Sequence, residues 1–171
     1  MKRYCLIIED DDKTVSYHAY ERNIKKREGI ELEIISLDPS ISEFQKETEN
    51  DIIINKEKLN EKLTEILKRR IDLVACDFDL SDNNINGLDV IRMIKQIKPN
   101  KRIFLFSGKL NKIVKTLLSS NDKDEIFKNI KTLINSKISD FIDRDNELIE
   151  DAIIKNLKNH SWEEELNNVF D

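Results

Sequence analysis

The chain alternates short, nearly uninterrupted apolar runs with longer stretches of helical periodicity, and this alternation is its most constraining feature. Four runs predict strands, at residues 4–8, 71–76 and 103–106 and, less apolar, at 138–142. Near-continuous apolarity is typical of strands that are buried on both faces. A fifth stretch, residues 30–37, alternates apolar and polar residues and predicts a strand at the edge of the sheet.

Apolar residues at helical spacing fill the intervals between these runs. They predict helices at residues 11–28, 59–67, 88–97, 110–118, 126–134 and 149–157, with Gly29 ending the first. Because strands that alternate with helices pair in parallel through right-handed crossovers, the sequence predicts a three-layer α/β sandwich. Residues 39–56 are too long for an ordinary connection, and we interpret them either as an additional short strand or as a surface excursion.

The composition restricts the classes of function. The 171 residues provide one domain of ordinary size, with 39% apolar residues, 37% charged residues and a net charge of −5. An acidic chain offers no broad basic surface to a nucleic acid, and no stretch approaches the ~18 apolar residues of a membrane helix. The start of the sequence lacks the long apolar segment of a signal peptide. We therefore expect a cytoplasmic protein with neither a nucleic-acid partner nor a membrane partner.

The two cysteines, Cys5 and Cys76, lie inside apolar runs. Neither has metal-type spacing or a partner histidine nearby, and lone thiols in a cytoplasmic protein are more often packed in the core than joined as a disulfide. We interpret both as buried packing residues.

Acidic residues follow two of the apolar runs at the point where each run ends. Residues 9–12, Glu-Asp-Asp-Asp, follow the first run, and Asp77 follows the run 71–76, ahead of Asp79 and Asp82. The carboxyl ends of parallel strands form the ligand crevice of an open sheet. Two carboxylates ~4 Å apart repel by about 4 kcal/mol at an effective dielectric near 20, so the cluster is either solvated or holds a cation. Oxygen ligands without His or Cys favour Mg²⁺, or Mn²⁺ in its place.

Helix capping is the competing explanation for some of these acids. Asp11 and Asp12 suit the start of the following helix. Capping does not account for Asp77, which closes an apolar run.

Two further polar groups follow the later strands. Ser107 and Gly108 place a hydroxyl and an unhindered backbone N–H at the same edge, where they can bind a phosphoryl oxygen; a turn or a helix cap also accounts for such a pair. Arg144 follows the last strand with a guanidinium that can pair with a phosphate or with the carboxylates. Polar groups at four successive strand ends are a more specific signal than any one of them.

Four segments in this order resemble the receiver domain of two-component response regulators, over about residues 3–158. They are CLIIEDDD, IDLVACDFDLSDNNINGLDVIRMIK, IFLFSG and SDFIDR. The resemblance implies a doubly wound parallel sheet of five strands in the flavodoxin-like order 2-1-3-4-5, with a helical insertion at 122–134 before the last strand. It also implies a receiver-like domain over residues 1–158, followed by a short C-terminal helix or tail at 159–171.

The same resemblance implies a set of metal and acceptor residues. Glu9 and Asp10 match the acid pair, with Asp10 as a direct Mg²⁺ ligand. Asp77 matches the phosphoacceptor and a second metal ligand, and the backbone carbonyl of Asp79 matches a third. Gly87 matches the glycine of the loop that follows the acceptor.

The resemblance also implies a switch. Ser107 matches the hydroxyl that moves towards the phosphoryl group, and Phe141 matches the aromatic residue that follows it. Arg144-Asp145 stands where the family has a lysine followed by a proline, which keeps a positive charge but loses the compact ammonium and the fixed turn. The phosphoryl donor would be a sensor histidine kinase or a phosphotransfer protein, and the signal would pass by contact of the inserted helix with a downstream protein.

Two other functions stay open. A degenerate receiver would keep the pocket but act only as a protein-binding module. The segment from Asp77 to Ser81 also resembles the first motif of haloacid dehalogenase-type phosphatases, with Asp77 as nucleophile and Asp79 as acid/base. The nucleophile of that family lies on the opening strand, so the earlier strand with Glu9 and Asp10 distinguishes the two. A receiver would catalyse only its own phosphorylation and dephosphorylation.

Overall fold

A computed structural model describes residues 1–10, 14–49, 51–80, 82, 84–108, 123–136, 138–143 and 148–158. These residues form five helices, seven strands and a 3₁₀ turn at Ser42–Phe44. The strands are β1 Arg3–Ile8, β2 Leu32–Leu37, β3 Gln45–Glu47, β4 Ile52–Ile54, β5 Leu73–Asp77, β6 Ile103–Ser107 and β7 Asp140–Asp143. The helices are α1 Thr14–Glu28, α2 Lys56–Leu67, α3 Gly87–Ile97, α4 Lys123–Asn135 and α5 Ile149–Lys158.

Five strands form one parallel sheet in the order β2-β1-β5-β6-β7. Counted along the chain without the short strands β3 and β4, this is the predicted order 2-1-3-4-5, and the predicted fold class is confirmed. β3 and β4 pair antiparallel as a separate hairpin. Residues 39–56 therefore contain two short strands, which pair with each other and not with the main sheet.

Helices cover both faces of the sheet, which explains why its central strands are apolar without interruption. Leu6 and Ile8 of β1 face the layer of α2 and α3. Cys5 and Ile7 face the layer of α1 and α5. Cys5 and Cys76 are fully buried, as predicted, and burial raises the pKa of both thiols, which stay protonated as packing groups.

Three strands begin later than predicted, among them β2, which begins at Leu32 and not at residue 30. β5 begins at Leu73 and not at residue 71. The side chain of Asp72, the residue before it, is hydrogen-bonded at the amino end of β5. Its Oδ2 accepts from the Tyr4 amide at 2.8 Å, and its Oδ1 accepts from Arg70 Nη2 at 2.9 Å. β7 begins at Asp140 and not at residue 138.

The predicted helix bounds agree with the structure where it describes them. α1 ends before Gly29, whose φ of +67° reverses the chain and whose amide donates to the Lys25 carbonyl at 2.9 Å. The predicted helix at 110–118 and the tail at 159–171 lie outside the described residues. None of the helices in the described ranges combines the length and apolar composition needed to cross a membrane.

α4 is the helix predicted as an insertion before the last strand, and both Arg92 of α3 and the packing of Leu133 on the α2–α3 core hold it in place. Arg92 donates to Thr132 Oγ1 and to Asn129 Oδ1, at 2.8 and 2.7 Å. On its outer side α4 exposes an apolar stripe of Phe127 (68% exposed), Ile130 (38%) and Ile134 (70%). Exposed apolar stripes of this kind mark surfaces that contact other molecules.

Candidate functional site

The carboxyl ends of β1, β5 and β6 bring three of the predicted site residues together. Ile8 lies opposite Cys76 in the register, so Glu9 and Asp77 come next on neighbouring strands. Asp77 lies opposite Phe106, one residue before Ser107. Because neighbouring strands lie ~4.8 Å apart, Glu9 and Asp77 lie side by side, and Ser107 lies one residue beyond the level of Asp77 at the same end of the sheet.

Asp77 is a buried carboxylate held by the chain that follows it. It is 7% exposed. The amide of Asp79 donates to Asp77 Oδ1 at 3.0 Å, and the amide of Phe78 extends the sheet ladder to the Phe106 carbonyl at 3.0 Å. The β5–α3 loop, residues 78–86, thus turns back on the carboxylate and orients one of its oxygens.

Gly87 is required by close packing and not by its backbone angle. Its amide donates to the Phe78 carbonyl at 2.9 Å, which brings the start of α3 against the end of β5. A Cβ at this position would lie 2.4 Å from the Asp77 carbonyl oxygen and 2.8 Å from Phe78 Cα. Asn86 caps the helix in a capping box with Asp89, so the chain direction at Gly87 is fixed from both sides.

Tyr17, which the sequence pattern did not single out, contacts Glu9. Glu9 and Tyr17 are 3% and 5% exposed, and the Tyr17 hydroxyl donates to Glu9 Oε1. Tyr17 lies on the same helical stripe as Tyr20 and Ile24, at positions i, i+3 and i+7. This helical spacing is the sequence pattern that could have placed Tyr17 on the buried face of α1. A buried carboxylate beside Asp77 thus has a neutral hydrogen-bond donor from α1.

We expect Tyr17→Phe to lower the free energy of unfolding by about 2 kcal/mol, the usual value of a hydrogen bond to a charged group. Urea unfolding measures this loss. Tyr20→Phe is the matched control, since it removes one hydroxyl from the same helix beside the Tyr17 ring. The control should change stability by less than about 0.5 kcal/mol. Equal losses in the two variants would contradict the assignment of the Glu9 contact.

The acids at this end of the sheet are the side chains from which the predicted magnesium site would draw its ligands. In the described part of the chain, no three His, Cys, Asp or Glu side chains group closely enough to hold a metal by themselves. Mg²⁺ needs one or two carboxylates and completes its shell with carbonyl oxygens and water. Asp10 and Asp79 are half-buried; Asp10 directly follows Glu9, and Asp79 lies two residues after Asp77. The ligand set of Asp10, Asp77 and the Asp79 carbonyl remains a prediction.

The two predicted switch residues lie on the same face of the sheet. Leu105 lies opposite Phe141 in the register, and Ser107 follows Leu105 by two positions, so all three point to the α2–α3 side. Ser107 is 2% exposed, and Phe141 is half-buried. Arg144 lies outside the described residues.

Asp82 lies in the β5–α3 loop, whereas Glu9 and Asp77 lie at strand ends. Its carboxylate binds backbone amides of the β5–α3 loop and of β4. Asp82 follows the run 71–76 in sequence, yet one of its partners, the Ile54 amide, comes from a distant part of the chain.

No protein-family model and no curated protein matches the chain. Among solved structures, it is similar to a response regulator from Burkholderia pseudomallei with a phosphorylated aspartic acid, a calcium ion and citrate. The TM-score is 0.49 at 12% identity, over 98% of this chain and 74% of that chain. A CheY-like receiver domain from Methanospirillum hungatei JF-1 gives a TM-score of 0.49 at 14% identity, over 92% of each chain. A chain of the CheX–CheY–BeF₃–Mg²⁺ complex from Borrelia burgdorferi gives 0.49 at 16% identity, over 91% and 86%.

At these identities the likeness concerns the fold. The order of the main sheet is that of flavodoxin-like, doubly wound α/β folds. Within the described residues, one strand order accounts for the main sheet, and helices cover both of its faces. The β3–β4 hairpin is an addition to this alternation of strands and helices. It lies in the connection between β2 and α2 and leaves the order of the main sheet unchanged.

Proposed function

We propose that the chain is a phosphoacceptor signalling domain that takes a phosphoryl group onto Asp77 with Mg²⁺. The observation that carries this proposal is the place of Asp77: a buried carboxylate at the carboxyl end of the central strand β5, between Glu9 and Ser107. Acids, a hydroxyl and oriented backbone amides at one strand edge are the groups that phosphoryl transfer requires.

The proposed step is an in-line displacement by the Asp77 carboxylate. One carboxylate oxygen attacks the phosphorus of acetyl phosphate or of a phosphohistidine. The bond from phosphorus to the leaving group breaks, and acetate or imidazole leaves with the electron pair. The Asp79 amide on Oδ1 limits rotation of the carboxylate and so reduces the entropy lost on reaching the reactive geometry. Bound Mg²⁺ would offset the charge that develops on the transferred oxygens.

The proposed readout begins at Ser107. A phosphoryl group brings a charge near −2, and the Ser107 hydroxyl would donate to one of its oxygens. Phe141 lies on the same face, one strand away, where it can fill the space that a moving Ser107 leaves. Arg144 would supply the positive charge. A protein partner would read the change, and the exposed stripe of α4 offers apolar area for that contact.

Beryllofluoride, an analogue of the acyl phosphate, tests the switch. With Mg²⁺ present, we expect its addition to change amide hydrogen exchange in β6 and β7, because the group on Asp77 adds a hydrogen bond to Ser107. The Asp77→Asn protein is the control and should show no change. A flat difference map despite measured beryllofluoride binding would contradict the switch and favour the degenerate receiver.

The phosphatase alternative predicts different kinetics. A haloacid dehalogenase-type enzyme would turn over p-nitrophenyl phosphate without accumulating an acyl phosphate. In this structure, β1 with Glu9 lies next to β5 in the same sheet, which is the arrangement that a receiver needs. Rapid turnover would nevertheless favour the phosphatase at the expense of the proposed function.

A further inference from the structure

Asp82 joins two parts of the chain that lie far apart in sequence. Its Oδ1 accepts from the amides of Asn84 and Ile85, at 2.6 and 3.1 Å, in an Asx turn within the β5–α3 loop. Its Oδ2 accepts from the amide of Ile54 on β4, at 2.8 Å and 28 positions away. A single carboxylate therefore attaches the loop that follows Asp77 to the β3–β4 hairpin.

Apolar side chains close the same junction. Phe44 and Ile54, from the inserted segment, are 2% and 3% exposed, and Leu80 and Ile85, from the loop, are 1% and 2% exposed. All four belong to the core cluster on the α2–α3 side of the sheet. The hairpin thus shares a core with the loop, and its connection through Asp82 lies at the edge of that core.

The loop carries the backbone group that orients Asp77. At its start, the Asp79 amide donates to Asp77 Oδ1 at 3.0 Å. At its end, Gly87 is packed against the Asp77 carbonyl and cannot move closer. The middle of the loop is held by Asp82. Asp79 lies three positions before Asp82, so the attachment of Asp82 restrains the chain close to the Asp79 amide.

We propose that Asp82 is a positioning residue: by attaching the β5–α3 loop to the hairpin, it holds the Asp79 amide on the Asp77 carboxylate and raises the rate of phosphoryl uptake. Asp82 acts through the loop, since its own oxygens bind backbone amides. The effect on uptake rests on the proposed function, whereas the effect on the Asp79 amide does not.

Asp82→Asn is the informative variant because it separates the two attachments. An asparagine presents one carbonyl oxygen and one amino group, so in either orientation of the side chain either the Ile54 amide or the turn amides face a donor. Asp51→Asn is the matched control. Asp51 is an exposed residue of the hairpin segment whose Oδ1 accepts from the neighbouring Ile52 amide at 2.8 Å. Both variants remove one negative charge.

Amide exchange of the metal-free protein, followed by NMR, tests the attachment. In Asp82→Asn we expect protection of the Ile54 and Asp79 amides to fall about tenfold, with both unchanged in Asp51→Asn. Uptake from acetyl phosphate should slow about tenfold in Asp82→Asn alone. Faster exchange at Ile54 with unchanged exchange at Asp79 would overturn the proposal. Absence of uptake in the wild type would contradict the proposed function instead, and the exchange of Asp79 would still decide the role of Asp82.

A measurement on the wild type covers the case in which Asp82→Asn does not fold. In native-state exchange with increasing denaturant, amides that open together converge on one free energy. The Ile54 and Asp79 amides should converge below the global unfolding free energy. Opening of Asp79 without Ile54 would overturn the proposal.

Discussion

The Asp77→Asn protein will take up no phosphoryl group from acetyl phosphate in the presence of Mg²⁺, whereas the wild type will accumulate one acyl phosphate. An amide at this position is a poor nucleophile and removes the charge that draws a cation to the site. Intact-protein mass spectrometry after a short incubation measures the uptake. Because Asn has nearly the same shape as Asp, the buried site at the end of β5 should keep its packing.

Asp38→Asn is the control for this experiment. Asp38 follows β2 at the same edge of the sheet, where its Oδ1 accepts from the Ser40 amide and hydroxyl, both at 2.7 Å. The control makes the same change of Asp to Asn directly after β2, the outermost strand, and its phosphoryl uptake should equal that of the wild type. Uptake by Asp77→Asn at the wild-type rate would remove Asp77 from the role of acceptor.

Gly87→Ala is expected to lower the free energy of unfolding by about 3 kcal/mol, at the upper end of the usual cost of overpacking. The new methyl group would meet the Asp77 carbonyl oxygen at 2.4 Å and Phe78 Cα at 2.8 Å, both of which are backbone atoms. Backbone cannot rotate away as a side chain can, so α3 and the end of β5 must separate. Phosphoryl uptake should fall as well, because the displaced atoms belong to Asp77.

Gly29→Ala tests a different property of glycine and serves as the comparison. Gly29 has a φ of +67°, and beyond the adjoining chain no atom would lie within 4 Å of the new methyl group, so the strain comes from the backbone angle. A left-handed alanine costs about 1 kcal/mol, and uptake should not change. Urea unfolding of both variants gives the two losses. A loss at Gly87 no larger than that at Gly29 would contradict the close packing of α3 on Asp77.

Much of the fold was predictable from local pattern. The runs that became β1, β5 and β6 are apolar on both faces because helices cover both faces of the sheet. The bounds of the strands were less predictable. Asp72 lies within an apolar run, but its side chain accepts hydrogen bonds from Tyr4 and Arg70 at the amino end of β5. Only the folded chain supplies those partners.

The position of Glu9, Asp77 and Ser107 at one end of the sheet was predictable, because parallel strands end on the same side and residues that follow apolar runs meet there. Their role as a site stays a prediction, and the contacts that support them were not predictable. The sequence pattern assigned no supporting role to Tyr17 or Asp82. Tyr17 donates to Glu9, which precedes α1, and Asp82 accepts from the Ile54 amide, 28 positions away.

By itself the sequence determined the layers of this protein and the end of the sheet at which Glu9, Asp77 and Ser107 lie. Burial on both faces requires long apolar runs, and such runs are visible without knowledge of any contact. Only the tertiary structure decided that the β3–β4 hairpin joins the loop after Asp77, and that Gly87 is needed for space. The physical reason is that a hydrogen bond to a backbone amide, or a close approach of two backbones, leaves no pattern in side-chain polarity: every residue other than proline carries the same N–H and C=O.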